Sequence, residues 1–191
     1  MPATMTRKKC GLPFKRLSKA AKERAIEKTR DWIREDDIQL QDTFDGILSE
    51  AGFPNMTIYW SLGYCQGDGV AFKGSIDMDE LMKHEPYIVE QLARAVLLGV
   101  NPDDWEWSGK IEQHGSYCHW NSMDVELEWQ PENVDFIGRA IRTHIAERCK
   151  ELSREMEKIG YSEIEYQTSD EHCIECIEAN DYRFDRDGDL I

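Results

Sequence analysis

Between Asn133 and Ile159 the residues Val134, Ile137, Ile141, Ile145, Cys149, Leu152, Met156 and Ile159 recur at three- and four-residue intervals. That spacing puts them on one face of a single long α-helix. Such a helix carries an apolar stripe that must be covered. Burial at about 1.5–3 kcal/mol per large side chain supplies much of the stabilising term, so the rest of the chain has to provide a matching surface. Gly160 stands where a helix-ending glycine belongs.

The matching surface reads as a sheet. Ile58, Trp60, Leu62 and Tyr64 alternate with smaller or polar residues, and Val70, Phe72, Gly74 and Ile76 resume the alternation. Gln66-Gly67-Asp68-Gly69 lies between them and predicts a hairpin turn, because glycine accepts the positive φ that tight turns require. Trp105 to Ile111 predicts a third strand, followed by a turn at His114-Gly115. From Tyr117 to Trp129 a fourth sets Val125, Leu127 and Trp129 against Asp124, Glu126 and Glu128.

Helices flank these strands. Ser18 to Asp36 predicts a weakly apolar surface helix. Asp37 is placed to cap a second, with Leu40, Phe44, Ile47 and Leu48 inward and Gly52 and Pro54 ending it. Asp77 or Asp79 opens a third helix. Pro86 starts a fourth, whose buried face is Ile88, Leu92, Ala95 and Val96, stopped at 99–102. Thr168-Ser-Asp-Glu171 reads as a capping box before a helix to Ala179, and Tyr182 to Ile191 as a closing hairpin. The expected fold is α+β: an antiparallel sheet of about four strands against a long helix, with additional helices. Residues 1–15 form a flexible basic arm and 16–191 one domain.

Charge narrows the function classes. The net charge is −15 over 191 residues. Residues 1–30 hold ten Lys/Arg and two Asp/Glu, whereas the remainder holds 13 of the 23 Lys/Arg and 36 of the 38 Asp/Glu. A body this acidic repels nucleic acid and attracts basic surfaces. No 18-residue apolar run marks a membrane span, and the N-terminus lacks the apolar core of a secretory signal. Six cysteines in a chain of this size do not form a secreted disulfide scaffold, which favours a reduced, cytoplasmic setting.

Several constellations admit chemistry, each beside a plainer reading. Cys65 and Asp68, with His114 or His119 reaching across the sheet, would suit a small cysteine- or metal-dependent hydrolase, but a nucleophilic thiol needs a base and none lies nearby in sequence. His172-Cys173 and Cys176 hold half a zinc site. The remaining ligands would have to come from Cys118, His119, His144 or Cys149, and buried free thiols fit better. Asp185, Asp187 and Asp189 match the opening of a calcium loop, yet Leu190 stands where glycine is required. No cofactor, metal or catalytic residue is therefore assigned.

The acidic rows remain. Asp124, Glu126 and Glu128 share a strand face at a spacing of about 6.8 Å, the scale of successive backbone phosphates. Asp103, Asp104 and Glu106 precede them, and Glu147, Glu151 and Glu155 recur along the long helix. Glu171, Glu175 and Glu178 share a face of the last helix. A solvated outer surface is the plain reading; a surface imitating nucleic acid is the functional one.

The run Tyr59-Trp-Ser-Leu-Gly-Tyr-Cys-Gln-Gly-Asp-Gly-Val-Ala-Phe72 resembles a segment of small uncharacterised proteins of bacteriophages and prophages. The tail, from Tyr166 through Glu171 and Asn180 to Gly188, is similar to the ends of such proteins. The resemblance implies a phage or prophage accessory gene, often one encoding an inhibitor of a host protein, and implies no chemistry. The leading expectation is an anti-defence protein in the bacterial host's cytoplasm. Its acidic face would occupy the basic nucleic-acid-binding groove of a host protein such as a defence nuclease or CRISPR effector. No direct nucleic-acid or membrane partner is expected of the acidic body, and homo-oligomerisation stays open. Two alternatives stand beside it: the hydrolase above, and a nucleic-acid regulator acting through residues 7–30.

Overall fold

The computed structural model describes residues 11–35, 40–101, 106–130 and 132–191. In chain order the elements are β1 (Leu12–Pro13), α1 (Lys19–Glu35), α2 (Gln41–Glu50), β2 (Thr57–Ser61), β3 (Gly69–Ile76), α3 (Met78–His84) and α4 (Pro86–Leu97). They continue with β4 (Glu106–Gln113), β5 (Met123–Gln130), α5 (Asp135–Gln167), α6 (Asp170–Ala179) and β6 (Arg183–Phe184). By their contacts the described residues group into two compact units, one between 40 and 161 and the other made of 11–35 with 162–191.

The larger unit is the expected α+β arrangement. Its antiparallel sheet has the order β2-β3-β4-β5, and α5 lies across one face. Trp129 of β5 packs so closely on α5 that a Cβ at Gly138 would stand 2.5 Å from the indole. Strand alternation then sends Val125 and Leu127 to the same face as Trp129, and Asp124, Glu126 and Glu128 outward. The predicted stripe is the buried face of α5, with Ile137, Ile141, Ile145, Cys149, Leu152 and Met156 at its centre and Ile159 half-buried. Phe44, Phe53 and Phe72 join this core, Phe53 and Phe72 with ring centroids 6.2 Å apart. β3 pairs with β2 along Gly69–Lys73 but with β4 only from Gly74 to Ile76. Where β4 is missing, Ser153 of α5 donates to the Val70 carbonyl and the Phe72 N–H reaches the Met123 sulfur at 3.2 Å.

Four local expectations change. α5 runs through Gly160 to Gln167 instead of ending there. Gly160 serves contact, since a Cβ would meet Leu62 at 2.4 Å and Phe44 at 3.2 Å. α2 begins after Leu40 at its cap position, not after Asp37, which lies outside the described residues. Val96 is 43% exposed, because α4 buries Ile88, Leu92 and Ala95 and turns Val96 off that face. The fourth strand starts only at Met123, and 114–122 forms a loop held by its own hydrogen bonds.

In the smaller unit α1 packs with α6, burying Phe14, Leu17, Ala21, Ala25, Ile177 and Phe184 together. The expected surface helix therefore contributes Ala21 and Ala25 to a core, with Ala20 left exposed. β1 pairs with β6, and Phe184 bridges Leu190, so the closing hairpin exists and gains a third segment. The arm expected through residue 15 ends earlier: Leu12 and Pro13 are in a strand and Phe14 is buried. Ser169 caps α6, its Oγ accepting from the His172 N–H at 3.2 Å. Among the described residues no helix is long and apolar enough to cross a membrane.

Candidate functional site

Two loops at one end of the sheet build the site. The first, 62–68, joins β2 to β3 and is longer than the tight turn expected at Gln66–Gly69, because β2 stops at Ser61 opposite Gly69. Asp68 organises it. Its carboxylate accepts from the Cys65 N–H at 2.7 Å, the Ser61 hydroxyl at 2.7 Å and the Tyr161 hydroxyl at 3.2 Å. Burial alone pushes this carboxyl up, but the bonds from Cys65, Ser61 and Tyr161 outweigh it and hold its pKa below the usual value. Burial, and then the bond to Asp68, raise that of the Tyr161 hydroxyl. Tyr64, at φ 59°, lays its ring 4.6 Å from that of Tyr161.

The second loop, 114–122, is tied just as firmly. The Ser122 hydroxyl contacts the carbonyls of Tyr117 at 2.8 Å and His119 at 2.6 Å, and the Gln113 amide donates to the carbonyls of Gly115 and Tyr117 at 3.1 Å. The Asn121 N–H donates to His119 Nδ1 at 3.1 Å, so the neutral ring carries its proton on Nε2. Lys150 and Arg154 of α5 lie 4.7 and 4.8 Å from the Trp120 ring, which anchors the loop to the helix.

The glycines of Gln66-Gly67-Asp68-Gly69 clasp the two loops together. Gly67 has φ 91°, and a Cβ there would stand 2.1 Å from the Tyr117 ring; one at Gly69, φ 142°, would stand 2.7 Å from the Cys118 carbonyl. The clasp leaves a cleft of about 460 Å³ lined by Gln66, His114, Tyr117, His119, Asn121 and Asp124.

Asp124 belongs both to this cleft and to the outward row of β5. Glu126 and Glu128 follow it, and Glu112 pairs with Asp124 in the register. Lys110 bridges Glu126 at 2.9 Å and Glu112 at 3.2 Å, Ser108 donates to Glu128 at 3.1 Å, and His114 lies 3.4 Å from Asp124. The acids of α5 are not part of this face, since the helix covers the other side of the sheet. Glu147 pairs with Lys150 at 3.3 Å, Glu151 with Arg148 at 2.7 Å, and Glu155 is exposed. Asp103, Asp104 and the Glu106 side chain lie outside the described residues.

The family described as domain of unknown function DUF8835 matches residues 25–171, more than half of the sequence. The chain belongs to this family. The DUF8835 match takes in both loops of the cleft and the whole of β5. No curated protein and no solved structure matches significantly.

The remaining constellations fall elsewhere. Cys65 is exposed, and its thiol contacts the Gly63 carbonyl at 3.5 Å; its link to Asp68 is through the backbone. Cys118 sits beside the cleft with its thiol pushed up by burial and by the Asp68 charge. Cys176 Sγ is 3.4 Å from His172 Nε2 while Cys173 is buried, and among the described residues no group of three or more His, Cys, Asp or Glu is placed to hold a metal. Asp185 closes its own turn, accepting from the N–H groups of Asp187 and Asp189 at 2.9 Å. In the basic N-terminal stretch, of which 7–10 lie outside the described residues, Lys15 pairs with Glu178, Arg24 and Lys28 with Asp189, and Arg30 with Glu27 and Asp170.

Among the described residues, sequence reading missed one buried charged group. Glu85 is 7% exposed and accepts from His144 Nε2 at 2.7 Å and Arg148 Nε at 2.8 Å. A glutamate directly before the helix-starting Pro86 was its only local signal.

Proposed function

We propose that this protein is a non-catalytic binding module that engages a basic, nucleic-acid-handling partner through the outer face of its sheet. The observation that carries the reading is the exposed row Asp124, Glu126 and Glu128 on a strand whose alternate residues are anchored toward α5. Pairing fixes the backbone spacing of these charges, so binding has only their side chains left to order. Glu112 widens the row, and Lys110 lowers its charge without covering it. Association would be electrostatically steered, competing with nucleic acid for the partner's groove and weakening as salt rises. An inhibitor from a phage or prophage accessory gene fits this mode of action, as the resemblance of the 59–72 segment implies.

The test is the triple reversal Asp124→Lys, Glu126→Lys, Glu128→Lys, measured against a cationic peptide and against a lysate pull-down at low and moderate salt. Binding is lost in the variant while its circular dichroism and melting stay those of the wild type. Unchanged affinity in the folded variant removes this face as the contact.

A further inference from the structure

The cleft at the end of the acidic row has a composition that the row lacks. Resting on the reading of this face as a contact for basic partners, we propose that the cleft is an arginine-anchoring pocket, seating one guanidinium group of the partner. Tyr117 offers an aromatic platform. The residue is exposed, and its ring is backed by Gly67, where any side chain would collide with it. A planar cation stacks on such a ring, and arginine does so more readily than lysine.

Asp124 supplies the counter-charge in the same cleft, with a side chain 69% exposed and both oxygens able to accept a forked pair of N–H donors. The amides of Gln66 and Asn121 bring further carbonyl acceptors, which suit a group that has only donors. His114 lies 3.4 Å from the same carboxylate and is the neighbour with which a guanidinium shares it.

The site is also preorganised. One loop is closed on the Asp68 carboxylate, the other on the Ser122 hydroxyl and the Trp120 ring, so little ordering accompanies binding. The cleft, of about 460 Å³, is large enough to take one long side chain. A phosphate-bearing ligand is disfavoured by Asp124 inside the cleft and by Glu112 and Glu126 along the same face.

The experiment compares oligo-arginine with oligo-lysine peptides of equal length by calorimetric titration of the full chain. The wild type binds the arginine peptide about tenfold more tightly, the scale of one good planar cation contact. Tyr117→Leu collapses that ratio toward one, lowering arginine-peptide affinity more than lysine-peptide affinity. Asp124→Asn, on a solvent-exposed side chain, lowers arginine affinity more than lysine affinity. Glu128→Gln, farther along the strand, lowers both in proportion. A ratio near one in the wild type, or a ratio that survives both cleft variants in folded protein, overturns the arginine pocket while leaving the acidic face standing. No binding of either peptide at low salt overturns the underlying reading and the pocket with it.

Discussion

Replacing Asp68 by alanine tests whether one carboxylate holds the first loop. The substitution removes the acceptor for the Cys65 N–H and for the hydroxyls of Ser61 and Tyr161. Hydrogen bonds to a charged group contribute about 1.5–3 kcal/mol each. The Tyr161 bond is long at 3.2 Å and the neighbouring Cys65 is exposed, so water replaces part of what is lost. The expected cost is therefore about 2–4 kcal/mol, or a fall in Tm of about 5–15 °C for a chain of this size. The pH dependence carries the sign. Asp68 has a folded pKa below its ordinary value, so its contribution is complete above the unfolded value of about 3.9. It disappears as pH falls through the folded one. Thermal and urea unfolding of wild type and Asp68→Ala, followed by tryptophan fluorescence, should show a constant gap from neutral pH to about pH 5 that closes in stronger acid. A gap under about 0.5 kcal/mol, within ordinary surface-mutation scatter, or one equally large in strong acid, refutes the role.

Three shorter predictions accompany it. Gly69→Ala puts a methyl 2.7 Å from the Cys118 carbonyl at φ 142°, and should cost about 2–3 kcal/mol in urea unfolding; a neutral result removes the clasp. Glu85→Ala should cost about 2–3 kcal/mol by stranding His144 and Arg148, less than a fully buried pair because Arg148 is one-third exposed and keeps Glu151. Among the cysteines of the described residues, thiol labelling of native protein should modify exposed Cys65 first, with Cys149, whose pKa burial raises to about 12, reacting only on unfolding; equal rates for the two contradict the placement of Cys149.

What could be read in advance follows from range. The α5 stripe and the alternation of β5 are local periodicities, and both appear as written in the sequence. Glycine is the opposite case. Gly160 reads as a helix stop, and Gly67 and Gly69 as turn glycines. In the structure all three are places where another segment comes too near for a side chain: Leu62 at Gly160, Tyr117 at Gly67, the Cys118 carbonyl at Gly69. A cap, a turn and a close approach leave the same letter, and only the distant partner separates them. The cleft was legible in part: His114 and His119 do come across the sheet to the 66–67 segment, as their places around the second hairpin suggested, whereas the meeting of Gln66 with Asp124 depends on strand register. Glu85 gave no hint of His144, 59 residues onward.

Among the described residues β5 is a border strand, paired only with β4, and Arg142 Nε donates to its Val125 carbonyl at 2.7 Å. Borders of this kind invite self-templating, in which one molecule's strand extends the next. Here a second copy would stack its own Asp124, Glu126 and Glu128 about 4.8 Å from the first, and each added layer would repeat the repulsion. The same three side chains would therefore oppose polymerisation along the sheet, and a variant in which they become valine or threonine is expected to seed fibres.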